Sequence, residues 1–304
     1  MAQRKYGALE QKVANIFINE QVFTFKGKRY RVLKIGKPQK QGGSGEPKTD
    51  VYILGQELGG TDTVELKISV KKRDFEFIEN KITPIRMADI LGANWQKIIQ
   101  ESSERIKDRF ADCSLIYPER RGTTLKNSIT LGWKAEITNR PRTLSARMQL
   151  SGQQIKDLLY KGVNLPPEKR DAIVDGNIIA NSGIAEYILE TDLDDIHTTA
   201  DILSQMELID DANLNEAYLA FTANNYRTDT DKCDGARSLA VRVKWEIING
   251  KLAHHIMFGQ PLLYTGQAAV PELKQTLIQL GTIHPENMND NSILDPSIVC
   301  KKKR

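Results

Sequence analysis

The chain has 304 residues, 40% of them hydrophobic and 27% charged, with a formal net charge of +4. These values describe an ordinary soluble globular protein, long enough for a proper core and two subdomains. No run approaches the roughly 18 apolar residues of a membrane span, so a membrane is not expected as a partner and a cytoplasmic location is.

Cys113, Cys233 and Cys300 lack C-x-x-C spacing, which argues against a disulfide framework or a structural zinc site. The four histidines are scattered, and adjacent His254 and His255 point to opposite faces of any strand, which disfavours a histidine-metal nuclease. Met1 to Tyr6 lead into an amphipathic segment and not an apolar signal core.

Leu9, Val13, Ile16 and Phe17 recur at helical spacing and predict a helix over 7–19, bracketed by Glu10 and Glu20. Residues 22–35 alternate around Lys26-Gly27 as a hairpin. Lys26, Lys28, Arg29, Arg31, Lys34, Lys37, Lys40 and Lys48 make this span basic, which suits phosphate contacts and equally a solvated face. A loop rich in Gly, Lys and Gln follows over 36–49.

Residues 50–56 and 63–72 read as two strands, and Gly59-Gly60 suits the tight turn between them. With that turn, Asp50 opposes Ser69, Tyr52 opposes Lys67 and Leu54 opposes Glu65. Val51, Ile53, Val64, Leu66 and Ile68 then form one apolar face, and a slip of one residue would drive Lys67 and Lys71 into the core.

Arg73–Lys81 reads as a short helix. Thr83-Pro84 reads as an N-cap with proline at the first helical position, and a helix from Asn94 carries Ile98, Ile99, Ile106 and Phe110. Cys113–Tyr117 reads as a strand of the same sheet as Asp50. Strands over 129–137 and 144–150, with a helix after Ser151, are echoed by strands over 238–247 and 252–258 around Asn249-Gly250 and a helix through Leu273, Leu277 and Leu280. Helical segments are expected at 166–175, 182–190 and 199–206. Residues 223–237 read as a polar loop whose Asn224, Asn225, Tyr226 and Arg227 suit base edges, though any long polar loop has this composition.

Pro47-Lys48-Thr49-Asp50, the hairpin, and Ser69-Val70-Lys71 together resemble the PD-(D/E)xK nucleases, the family of type II restriction endonucleases and of many repair and phage nucleases. The resemblance implies an α/β fold: a mixed β-sheet core flanked by helices over 1–150, the catalytic part. An α+β region over 151–304, ending in the basic tail Lys301-Lys302-Lys303-Arg304, would serve recognition or dimerisation. It implies Mg²⁺ held by Asp50 and a second acid, with Lys71 orienting the attacking water. Hard carboxylate oxygens suit Mg²⁺, and a metal with a cation stabilises the charge of the pentacoordinate phosphate.

The pattern departs at Ser69, where the family carries an acid. Glu76, Glu79 or Glu10 from the first helix would replace it. Glu65-Leu66-Lys67 is a literal Glu-x-Lys, but Glu65 lies about 13 Å along the strand from the Asp50 end. The implied substrate is double-stranded DNA, contacted through Lys40 and Lys48 among others, and the implied assembly is a homodimer cutting a specific site. A repair or phage nuclease of the same chemistry, or a noncatalytic DNA-binding protein, are the competing expectations.

Overall fold

A computed structural model of the chain describes residues 3–42, 45–80 and 82–301. It is mixed α/β, 29% helix and 33% strand, with curled mixed sheets flanked by helices. Among the described residues no helix is long and apolar enough to cross a membrane. The last three residues of the basic tail lie outside the described residues.

The chain opens with α1 (Gln3–Glu20), β1 (Val22–Phe25), β2 (Lys28–Gly36), β3 (Val51–Glu57) and β4 (Thr63–Lys72). It continues through β5 (Phe77–Glu79), α2 (Trp95–Glu104) and β6 (Ser128–Thr138), then β7 (Tyr187–Thr191), α3 (Thr199–Gln205) and β8 (Met206–Leu208). It ends with β9 (Tyr218–Arg227), β10 (Val241–Ile248), β11 (Lys251–Met257) and α4 (Gly266–Leu280).

The fold is not divided at residue 150. One compact unit comprises 1–78, 89–92 and 150–216, and the other 79–88, 93–149 and 217–304. The physical reason is strand pairing: β7 joins β4, and β9 runs antiparallel along β6, so each half of the chain supplies strands to both sheets.

The first unit is a six-stranded sheet in the order β1, β2, β3, β4, β7, β8, antiparallel except for the parallel pair β4–β7. Leu9, Val13, Ile16 and Phe17 of α1 pack with Val51, Ile53, Leu66, Ile68 and Val70 on one face, joined by Ile202 of α3. The β3–β4 register is the expected one, with Val51 opposite Ile68, Tyr52 opposite Lys67 and Leu54 opposite Glu65. The turn is longer than Gly59-Gly60, closing through Glu57 N–H to Asp62 O, yet it grows equally on both arms and leaves the pairing unchanged.

The β1–β2 turn at Lys26-Gly27 has positive φ at both residues, which the twist of a two-residue hairpin favours. Between Val32 and Lys34 the β2–β3 register shifts by one residue. This bulge leaves Leu33 exposed and reverses the alternation, so Ile35 joins Val32 and Tyr30 against the core while Lys34 sits opposite Leu54 on the other face.

The second unit is built on β9, β6, β10 and β11 in that order, with α4 against it. Ile116–Tyr117 pairs with β6, so this short strand belongs to the second sheet and not to that of Asp50. Residues 145–147, within the strand expected over 144–150, pair with β9. The β10–β11 hairpin at Asn249-Gly250 forms as expected.

Two expected helices are absent. Residues 73–76 form a turn leading into β5, and 182–190 gives way to β7, because Tyr187, Leu189 and Thr191 alternate inward at period two.

Deleting Leu33 should remove the bulge and leave Tyr30, Val32 and Ile35 in strict alternation, so the protein is expected to fold with an unchanged far-UV spectrum. Inserting one alanine after Leu33 should also restore the alternation without a bulge, with the alanine inward, but it slides Lys34 and Ile35 two positions along β3, so a lower melting temperature than that of the deletion is expected.

Candidate functional site

The β3–β4 ladder extends one residue beyond β3 and stops at Asp50. Asp50 N–H still donates to Ile68 O at 2.8 Å, but Lys48 and Thr49 N–H both turn to Gly183 O. The next donor on β4, Val70 N–H, is therefore taken by a side chain: Asp50 Oδ2 accepts it at 2.8 Å and accepts Ser69 Oγ at 3.3 Å. Asp50 is thus pinned by one oxygen at the end of the sheet where β4 exits. Ser69, almost fully buried, is a hydrogen-bond donor to that carboxylate.

Asp50 lines a cleft of about 370 Å³ together with Gly7, Glu10 and Gln11 of α1 and with Gly36 and Lys37. Glu10 Oε2 lies 2.7 Å from Lys37 Nζ, which reaches Glu46 at 3.9 Å. Burial and the charge of Asp50 push the Glu10 carboxyl above its ordinary value, against the opposing pull of Lys37. Burial draws the Lys37 ammonium down, but its bond to Glu10 outweighs this and the net shift is upward.

Lys71 lies on the same face of β4 as Ser69, half-buried, with no hydrogen bond or ion pair among the described residues. Lys67, by contrast, is buried and closed into an internal network. Its ammonium is 2.6 Å from Glu186 and 3.9 Å from Glu65, and Glu65 accepts Tyr52 Oη at 2.5 Å. Burial and that bond raise the Tyr52 phenol. Glu65 and Lys67 are thereby spent on holding mid-strand positions together.

Of the acids expected beside Asp50, Glu10 alone lines its cleft. Glu79 is held by two hydrogen bonds from Arg86, at 2.7 and 3.2 Å, within the second unit. Glu76 follows the turn after β4.

The residues expected at DNA are mostly committed to the fold. Lys40 is exposed, but Lys48 is buried and its ammonium donates to Leu159 O. The polar loop at 223–237 is strand β9 as far as Arg227, and its amides are consumed internally. Asn225 accepts from Thr130 Oγ1 at 2.9 Å and donates to Asp234, Asn224 donates to Gly235 O, Tyr226 Oη donates to Asp231, and Arg227 donates to Cys233 O. Asn224, Asn225 and Tyr226 are buried with these partners and have structural roles, and the half-buried Arg227 is engaged by Cys233 O and by Asp234 at 3.7 Å. Exposed Arg29 and Arg31 and half-buried Lys34 lie instead on β2, the strand leading to Gly36 and the cleft.

Among the described residues no three acidic, histidine or cysteine side chains are gathered as a metal cage. Mg²⁺ does not require one, since it keeps several waters and binds through one or two carboxylates plus substrate phosphates. Asp50, with its Oδ1 unbonded, and Glu10 are a donor set of that kind.

The sequence reading missed Lys37 as a partner of Glu10 and missed Glu190 of β7. β7 lies beside β4 in parallel register, placing Glu190 opposite Lys71. The alternation of 187–191 is the one sequence signal for that strand. No known protein family, curated protein or solved structure matches this chain.

The raised Glu10 carboxyl has a pH signature. Well below the ordinary carboxylate range Glu10 is protonated whether the chain is folded or not. As pH rises the unfolded chain releases its proton first, so stability falls until the folded carboxyl ionises too. Glu10→Gln is expected to raise the melting temperature near neutral pH, at roughly 2–4 °C per kcal/mol relieved, with the gain shrinking as pH falls toward the carboxylate range. Mg²⁺ should stabilise the wild type and not Glu10→Gln or Asp50→Asn in the same melts.

Proposed function

We propose that this chain is a Mg²⁺-dependent nuclease that hydrolyses DNA phosphodiesters, acting as a site-specific endonuclease of the restriction type and as a homodimer. The observation that carries the reading is the carboxylate of Asp50, pinned by Val70 N–H and Ser69 beside Glu10 in an open cleft, with unpaired Lys71 two residues further along β4.

Asp50 and Glu10 are the residues to hold the metal, which supplies Lewis-acid polarisation of the phosphate oxygens when bound. Burial and, after it, the charge of Asp50 raise Glu10, and the second of these is what a bound divalent cation would relieve. Val70 N–H and Ser69 Oγ keep Asp50 from rotating away, so its free oxygen is preorganised. Lys71 carries a charge that no side chain neutralises, suited to orienting a water and the scissile phosphate. In-line attack leaves a 3′-hydroxyl and a 5′-phosphate. Arg29, Arg31 and Lys34 on β2 give the neighbouring surface the cations that phosphate contacts require.

Purified protein with plasmid DNA and Mg²⁺ is expected to yield discrete fragments. A smear would indicate a processing nuclease, and intact plasmid would end the catalytic reading. Asp50→Asn and Lys71→Ala should each slow cutting by about 10² or more with the fold intact. Lys67→Met should instead lower the melting temperature, since it strands Glu186 and Glu65.

A further inference from the structure

Glu190 sits where the proposed chemistry needs a proton acceptor. It faces Lys71 in the parallel β4–β7 register, and strands in one sheet lie about 4.8 Å apart, so the two side chains rise from neighbouring points on the same face. Opposite charges so placed commonly close into an ion pair. These do not, since neither has a salt bridge among the described residues.

Glu190 is held differently. Its Oε1 accepts Asp74 N–H at 2.8 Å from the turn that follows β4, which leaves Oε2 unbonded. On the other side of β4, Asp50 is held in the same manner by Val70 N–H, so two carboxylates with one free oxygen each flank the strand that carries Lys71.

A second observation marks this spot. The Tyr160 ring meets Phe75, the residue after Asp74, edge-on at 6.4 Å, and Tyr160 is 2% exposed. Its hydroxyl has no hydrogen-bond partner among the described residues. Burial, and secondarily the charge of Glu190, push that phenol up. A buried hydroxyl without a partner is costly unless a ligand or water completes it.

We propose that Glu190 is the general base of the reaction, taking a proton from the water that Lys71 orients. The inference rests on the nuclease reading. The water oxygen bonds to phosphorus as the phosphorus–O3′ bond breaks with its electron pair leaving on O3′. The water proton passes to Glu190 Oε2, and O3′ takes a proton from solvent. Glu190 later returns its proton to solvent. Charged or titratable groups on the elements around Glu190 are Glu65, Lys67, Lys71 and Lys72 on β4, Arg73 and Asp74 in the following turn, Tyr160, and Glu207 on β8.

The test is single-turnover cleavage of plasmid across pH at saturating Mg²⁺, with Mg²⁺ titrations by thermal melt and DNA binding in Ca²⁺. Glu190→Gln keeps the acceptor for Asp74 N–H. It is expected to lose about 10²–10⁴ in rate and to flatten the acidic limb of the rate profile, with the Mg²⁺ midpoint and DNA affinity unchanged within twofold. Glu190→Asp should retain the limb at a reduced rate.

Wild-type cutting by Glu190→Gln, or a full acidic limb in that variant, overturns the base role. A tenfold rise in its Mg²⁺ midpoint overturns it in favour of a metal ligand. If Asp50→Asn is inactive while Glu190→Gln is not, the base assignment alone falls. If the wild type does not cut, or Asp50→Asn cuts as well as it, the nuclease reading falls and takes the base assignment with it.

Discussion

The hydrogen bond from Val70 N–H to the Asp50 carboxylate is the contact on which the site depends, and it exists because a β-ladder is interrupted. Two residues before β3, the chain turns its donors to Gly183 O, leaving β4 with an unmatched N–H at its exit. A short acidic side chain at position 50 satisfies that donor with one oxygen. An unpaired buried N–H is expensive, so the geometry of Asp50 is enforced by the backbone.

The register that places Asp50 there is enforced by the opposite face of the same strands. Val51, Ile53, Leu66, Ile68 and Val70 all pack against α1, and sliding either strand by one position would turn them away from the apolar core and put Lys67, Ser69 and Lys71 into it. Hydrophobic burial thus determines the polar geometry indirectly. The bulge at Leu33 is the same constraint met one strand further out. Three apolar residues must face the core on a strand whose sequence breaks alternation, and one extra residue absorbs the mismatch while turning Lys34 away from the core.

The parallel pairing of β4 with β7 brings in what the hairpin lacks. It sets Glu190 beside Lys71 and carries the segment whose Gly183 carbonyl ends the β3–β4 ladder. A parallel pair requires a crossover, and here the intervening chain is long enough to contribute strand β6 to the second sheet before returning. Loop-closure entropy grows only slowly with length, so such an excursion costs little once β7 is buried.

Period-two alternation, helical spacing and glycine turns were enough to specify α1, both N-terminal hairpins, the β3–β4 register and the β10–β11 hairpin, because each rests on contacts between near neighbours in the chain. The same local information placed Asp50 beside Ser69. It misassigned 182–190 and 223–237, where short β-branched or amide-rich runs have no local partner and become strands only by joining distant ones. That Glu10 shares a cleft with Asp50, that Glu190 lies opposite Lys71, and that the side chains of Asn224 to Arg227 are engaged within the second unit are facts of long-range pairing. Side-chain alternation along a strand is written in the chain, but the identity of the strand lying next to it is decided only when the whole sheet assembles.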